Sequence, residues 1–180
     1  MFIDQAAFFA LPEPAMLAVA ARAVQRAEPA AWLASRTPAG TGEPSPDDTV
    51  AIIHLAAELA LHDSVRDSHL AAAFRTLAEA TTSALTNLAG WVDAATDLPE
   101  PQRKAWSSIA WAASIVARQA SGDRSFMPVR AIEVMELVSR AIDLVANAGD
   151  LLDRAIDHDV AAAAGVVASD DAQLFAFISS

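Results

Sequence analysis

The chain has 180 residues, no cysteine, no tyrosine and a formal net charge of -11, and 54% of its residues are hydrophobic. This composition excludes disulfides and zinc sites built on sulfur, and its negative field makes nucleic acid and anionic membranes unsuitable partners. Because alanine supplies most of the apolar content, we predict a single all-α domain over residues 1–180. We expect it to be a four-helix bundle built from helical hairpins, with short terminal helices.

The amino terminus lacks the positively charged start and long apolar run of a signal peptide. The sequence also has no uncharged apolar run of about 18 residues that could cross a membrane. We therefore expect a cytoplasmic protein with no membrane partner.

Proline and glycine residues predict the helix boundaries in the first quarter of the chain. A short amphipathic start over residues 4–11 precedes a helix over about residues 14–36, which we expect to be interrupted near Pro29. Residues 37–45 contain two glycines and two prolines, which is typical of a loop.

The second helix is predicted to begin at Ser45-Pro46, because serine caps helices and proline suits their first turn. Apolar residues recur at helical spacing from there as far as Gly90, where we expect the helix to end. We expect a kink within residues 62–68, since an unbroken helix would turn Asp63 and Asp67 into the apolar face, where unpaired carboxylates are costly.

The third helix opens at Leu98-Pro99-Glu100-Pro101 and carries Trp106 and Trp111. Both rings flank an apolar face, so we expect both to pack in the core. The same four residues occur at Leu11-Pro12-Glu13-Pro14. This match leaves open a degenerate duplication relating the two halves of the chain, residues 1–90 and 91–180.

The third helix is predicted to end near Gly122, and the fourth begins near Pro128. The fourth helix runs to about Gly149 and resumes over residues 150–164, with apolar and charged residues on opposite faces. This pattern is typical of a helix on the surface of a bundle.

Both ends of the chain are rich in large apolar side chains. We expect these ends either to cover the bundle or to dock onto a protein partner or a second copy of the chain, so that a homo-oligomer is predicted. The predicted partner-binding residues are Phe8, Phe9, Leu174, Phe175 and Phe177.

The most distinctive polar pattern lies in residues 50–61, which are apolar except for His54 and Glu58. With His62 these residues follow one another at four-residue spacing, so a helix places all three on one stripe. Such a stripe can bind a divalent metal, and His69 can serve as a fourth ligand if the kink brings it close enough. The sequence indicates no other cofactor. We favour the interpretation that the stripe is structural, with its side chains exposed or hydrogen-bonded. An acid–base site and a pH switch are further alternatives.

A second acidic pattern consists of Glu133 and Glu136 followed by Asp150 and Asp153. It resembles the metal-binding pattern of all-α nucleotide pyrophosphohydrolases of the MazG type, which normally have glutamate where Asp150 stands. Arginines interleave with these acids at helical spacing, so we favour a solvated polar face with salt bridges.

Two further passages carry a family resemblance: Val65-Arg66-Asp67, and the stretch from Trp111 through Gly122-Asp123 to Arg130-Ala131. They resemble a family of helical actinobacterial proteins in which a Trp-bearing helix, a Gly-Asp turn and an Ala-rich helix follow one another. The resemblance covers roughly a third of the chain. It implies a helical fold and no activity.

The sequence has no glycine-rich phosphate loop, nucleophile elbow or Ser-His-acid pattern. We therefore predict a non-enzymatic helical scaffold, adaptor or regulatory protein-binding module that self-associates. One alternative is a metal-dependent or acid–base helical enzyme that uses the His-Glu-His stripe. A second is a helical bundle that binds a small molecule between its helices.

Overall fold

A computed structural model describes residues 5–34, 51–57, 71–94, 98–122, 125 and 127–167. All regular elements within these ranges are α-helices, so the all-α prediction is confirmed. The helices are α1 (Gln5–Phe9), α2 (Glu13–Ala34), α3 (residues 51–57), α4 (Ala71–Ala94), α5 (Glu100–Ala120), α6 (Met127–Ala146) and α7 (Gly149–Val167). None of the described helices has the length and apolar content needed to cross a bilayer.

Helix α5 is the centre of the described fold and packs against α2, α4 and α6. Trp106, Ile109 and Val116 are among its buried residues, and alanines fill much of the remaining buried surface. Because the distance between packed helices depends on the side chains at their contact, these alanines allow the neighbouring helices to approach closely. Helix α7 covers α2 and α6, and α1 contacts α7.

An ion cluster around the buried Asp159 joins α7 to α2. The Asp159 side chain is only 2% exposed, and Arg26 donates hydrogen bonds to both of its carboxylate oxygens, with Nη2 3.0 Å from Oδ1. Arg22 contributes a second guanidinium, whose Nη1 lies 3.6 Å from Oδ1. Since an unpaired buried carboxylate is strongly destabilising, Asp159 depends on these two arginines.

Two helices continue through positions where we predicted an interruption or an end. Helix α2 runs past Pro29 to Ala34, although a proline at this position removes one backbone hydrogen bond. Helix α4 runs past Gly90, whose surroundings leave open space. The next residue, Trp91, makes an edge-to-face contact with Trp106 at 5.6 Å between ring centroids, so packing against α5 extends α4 beyond the glycine.

The turns after α5 and α6 have the conformations that end helices. Gly122 has φ 108°, and Asn147 has φ 50° with its amide donating to the Asp143 carbonyl at 2.9 Å. Gly149 then brings α7 close to α6: a Cβ at this position would lie 3.0 Å from Asp143 Cβ and 3.3 Å from the Ser139 carbonyl oxygen. A Cβ at position 149 would therefore need Asp143 or the helix backbone to shift by a few tenths of an ångström.

Candidate functional site

The His-Glu-His stripe is described only at its first residue. His54 is exposed on α3, while Ile53, Ala56 and Ala57 are buried. Glu58, His62 and His69 lie outside the described residues, so the metal site stays a prediction. Within the described ranges, no group of three or more His, Cys, Asp or Glu side chains is placed to hold a metal ion.

The predicted partner-binding residues of the amino terminus differ in exposure. Phe8 is fully buried, whereas Phe9 is 48% exposed, and their rings meet edge-on at 6.0 Å between centroids. Leu174, Phe175 and Phe177 lie outside the described residues. Protein binding and self-association therefore stay predictions, and Phe9 is the one aromatic side chain of α1 that is available on the surface.

The acidic residues of α6 and α7 are divided between two surfaces. Glu136, Asp150 and Asp153 line a polar cleft between α6 and α7, together with Arg140. Asp153 accepts a hydrogen bond from Ser139 at 2.6 Å between oxygens. Glu133 does not line this cleft but pairs with Arg130 in a different groove. This separation agrees with a solvated polar face, and the four acids do not meet at one point.

A second groove, between α5 and α6, combines aromatic, charged and buried polar groups. We call it the α5/α6 groove, and its volume is about 310 Å³. This lies at the lower end of the range typical of small-molecule pockets. Its lining residues are Trp111, Ser114, Ile115, Arg118, Gln119, Ser125, Arg130 and Glu133.

Helical spacing explains how α5 forms one wall of this groove. Trp111, Ile115 and Arg118 recur at intervals of about one turn, so they lie on one side of the helix. The Ser114 hydroxyl donates to the Trp111 carbonyl oxygen at 2.8 Å, so this hydroxyl is used within the helix. The turn at Gly122 then reverses the chain and brings α6 alongside to form the other wall.

The floor of the groove contains a buried amide that lacks a partner. Gln119 is only 3% exposed, and its side-chain Oε1 has no hydrogen-bond partner among the described residues. Leaving such a group unpaired costs about 1 to 3 kcal/mol, which is why buried polar atoms are usually paired with protein, water or ligand. Because Oε1 is shut off from solvent, a molecule in the open groove does not contact it in this structure.

Trp111 forms the exposed part of the wall. Its side chain is 38% exposed, which contradicts our expectation that both tryptophans pack in the core, whereas Trp106 is 3% exposed as predicted. The indole ring offers a flat apolar surface for stacking. The polar residues at Ser114 and Arg118, close to Trp111 on the same side of the helix, are the sequence signal that could have identified this exposed position.

The charges in the groove favour anions. Arg130 Nη1 lies 2.6 Å from Glu133 Oε2, so these two charges neutralise each other. Arg118 is exposed at the last turn of α5 and forms no ion pair within the described part of the chain. The described lining of the groove therefore carries one positive charge that no described acidic side chain pairs with.

The described lining of the groove contains no histidine, cysteine or lysine, and the Ser114 hydroxyl is bonded to backbone. Ser114 is therefore not paired with a base by these side chains, as a nucleophile for acyl or phosphoryl transfer requires. Their chemistry suits binding by stacking, hydrogen bonding and charge.

Comparison with the profiles of known protein families, with curated proteins and with solved structures finds no match to this chain.

Proposed function

We propose that this chain is a non-enzymatic helical binding protein that takes up a small molecule in the α5/α6 groove. In this proposal α2, α4, α5 and α6 form the four-helix bundle, with α1 and α7 packed on its outside. The ligand lies between two helices of the bundle, which is a common location for ligand sites in this fold class.

The observation that carries the proposal is the exposed Trp111 ring in the wall of the α5/α6 groove. An indole ring that is 38% exposed gains buried area when a ligand packs against it. The groove volume of about 310 Å³ is large enough for a small ring system. Both observations point to occupation of a single site.

The proposal is tested by titrating the purified protein with indole and with indole-3-acetate, using saturation-transfer NMR to detect binding. We expect at least one of the two compounds to bind the unaltered protein. Trp111→Leu should weaken binding by about tenfold, because it removes the stacking surface. Leu144→Ala is the matched control, since Leu144 is 41% exposed and does not line the groove.

The proposal would be refuted if neither compound bound at millimolar concentration. It would also be refuted if Trp111→Leu bound both compounds as tightly as the unaltered protein did. Circular dichroism of both variants checks that the helices are retained.

A further inference from the structure

The turn between α6 and α7 differs from the turn that ends α5. It consists of only two residues, Asn147 and Ala148. Asn147, with φ 50°, is the one non-glycine residue of the described chain that lies in the left-handed region. This conformation has a steric cost for L-amino acids, although asparagine accepts it more readily than most. After α5 the left-handed residue is Gly122, which has no such cost, so the sequence favours a reversal there more strongly than after α6.

The sequence also allows α6 and α7 to join as one helix. Each of α2, α5 and α6 has a proline as its second residue, at positions 14, 101 and 128. Proline lacks the amide donor and disfavours helical conformation in the residue before it, so it opposes continuation from the preceding segment. Residues 129–167 contain no proline. Proline therefore does not oppose a continuous helix over residues 127–167.

The apolar face of α6 continues in phase into α7. Val138, Val145 and Leu152 follow one another at intervals of seven residues, which is about two helical turns. Ile156 and Ala163 fall on the same side of a continuous helix and are buried on α7 in the folded chain. Joining the two helices would therefore give one unbroken apolar stripe. Its α7 half would extend about 28 Å beyond α6, away from its own α2.

We propose that α7 is exchanged between two copies of this chain. In the exchanged dimer the turn at Asn147 becomes helical, and α7 of each copy docks on α1, α2 and α6 of the other, as it docks within one chain. Exchange of an identical element recreates existing contacts and needs no new surface. A short connection under strain favours such exchange. The inference goes beyond the α5/α6 groove, because no residue of α7 lines that groove.

Asp159 makes the docking of α7 specific for this chain. It lies seven positions after Leu152, so it interrupts the apolar stripe with a carboxylate. Its side chain is 2% exposed and is paired with Arg26 and Arg22 of α2. Docking of α7 on an apolar surface without these arginines would bury the carboxylate unpaired, which is strongly destabilising. A second copy offers both arginines at the required position, which is why it is the partner that fits.

Two substitutions at Asn147 shift the exchange in opposite directions. The residue is exposed, so neither substitution disturbs the core. Asn147→Ala favours the helical form and disfavours the turn, whereas Asn147→Gly favours the turn. An effect of about tenfold per turn amounts to about a hundredfold in the dimer dissociation constant of Asn147→Ala, because the dimer contains two turns. Light scattering coupled to size-exclusion chromatography measures this constant after refolding from urea at several protein concentrations.

A mixed dimer shows whether α7 is the exchanged element. Equal amounts of ¹³C-labelled and unlabelled Asn147→Ala chains are refolded together, and isotope-filtered NMR detects contacts between copies. We expect the contact between the Arg26 and Asp159 side chains to appear between copies. The proposal would be overturned if Asn147→Ala formed no more dimer than Asn147→Gly at millimolar concentration. It would equally be overturned if a dimer formed in which this contact remained within each copy.

Discussion

Replacing Gln119 with methionine tests whether the buried carboxamide is unpaired in the free protein. Methionine has a similar length and a similar helix propensity, so the substitution removes the amide and changes little else. The buried Oε1 of Gln119 has no hydrogen-bond partner among the described residues. The substitution therefore removes the desolvation cost of this oxygen.

The magnitude follows from the cost of a buried unpaired polar atom. We expect Gln119→Met to raise the free energy of unfolding by about 1 to 3 kcal/mol. Urea denaturation followed by circular dichroism measures this change. The free energy of unfolding should fall with urea concentration at the same rate in the variant and in the unaltered protein, so that the two can be compared. Gln102→Met is the control: Gln102 is half-buried on the same helix, so its substitution should change stability by about 0.5 kcal/mol or less.

A fall in stability of about 1 kcal/mol or more in Gln119→Met would refute this reasoning, because it would mean that the amide makes a stabilising contact in the free protein. The expected result is a gain in stability.

Three further predictions concern the helices and their contacts. Gly149→Ala should lower the free energy of unfolding by about 1 to 3 kcal/mol, because its Cβ would lie 3.0 Å from Asp143 Cβ. Gly165→Ala, on the open side of α7, should instead raise the free energy of unfolding by about 0.5 to 1 kcal/mol. Equal effects of the two variants in urea denaturation would contradict the close approach at Gly149. In a double-mutant cycle, Asp159→Asn and Arg26→Gln should show an interaction free energy of about 1 to 3 kcal/mol, because the Asp159 carboxylate is buried. If the effects of the two substitutions on stability simply added, the pairing would be contradicted. The Lys104 ammonium, 2.5 Å from Glu100 Oε1, lowers the pKa of that carboxyl through a hydrogen bond and charge. This pair stabilises the fold above the ordinary pKa of glutamate and ceases to do so as pH falls through the lowered value. In an NMR titration Lys104→Met should therefore raise the pKa of Glu100, and an unchanged pKa would contradict the contact.

Local sequence patterns predicted the fold class because they report local structure. The alanine content predicted helices, and the Pro-Glu-Pro segment at residues 99–101 correctly placed the start of α5. Helix ends were predicted less well. Gly90 was expected to end α4, but the packing of Trp91 on Trp106 extends the helix, and this contact joins separate parts of the chain.

The candidate site was harder to predict for the same reason. Gln119 resembles an ordinary surface glutamine in the sequence, and its burial follows from the packing of neighbouring helices on α5. The pairing of Arg26 with Asp159 spans 133 positions, which no periodic pattern reports. Trp111 was expected in the core because its neighbours are apolar, although Ser114 and Arg118 lie on the same side of the helix.

The central claim is that one small molecule binds against Trp111 in the α5/α6 groove. A titration of ¹⁵N-labelled protein with indole-3-acetate, observed by two-dimensional NMR, tests this claim most directly. We predict that the indole N–H signal of Trp111 and the backbone amide signals of Ile115 and Arg118, which line the groove, shift together and saturate with the same dissociation constant. If both sets of signals stayed in place at saturating ligand, or if only signals from residues outside the groove moved, the claim would be contradicted.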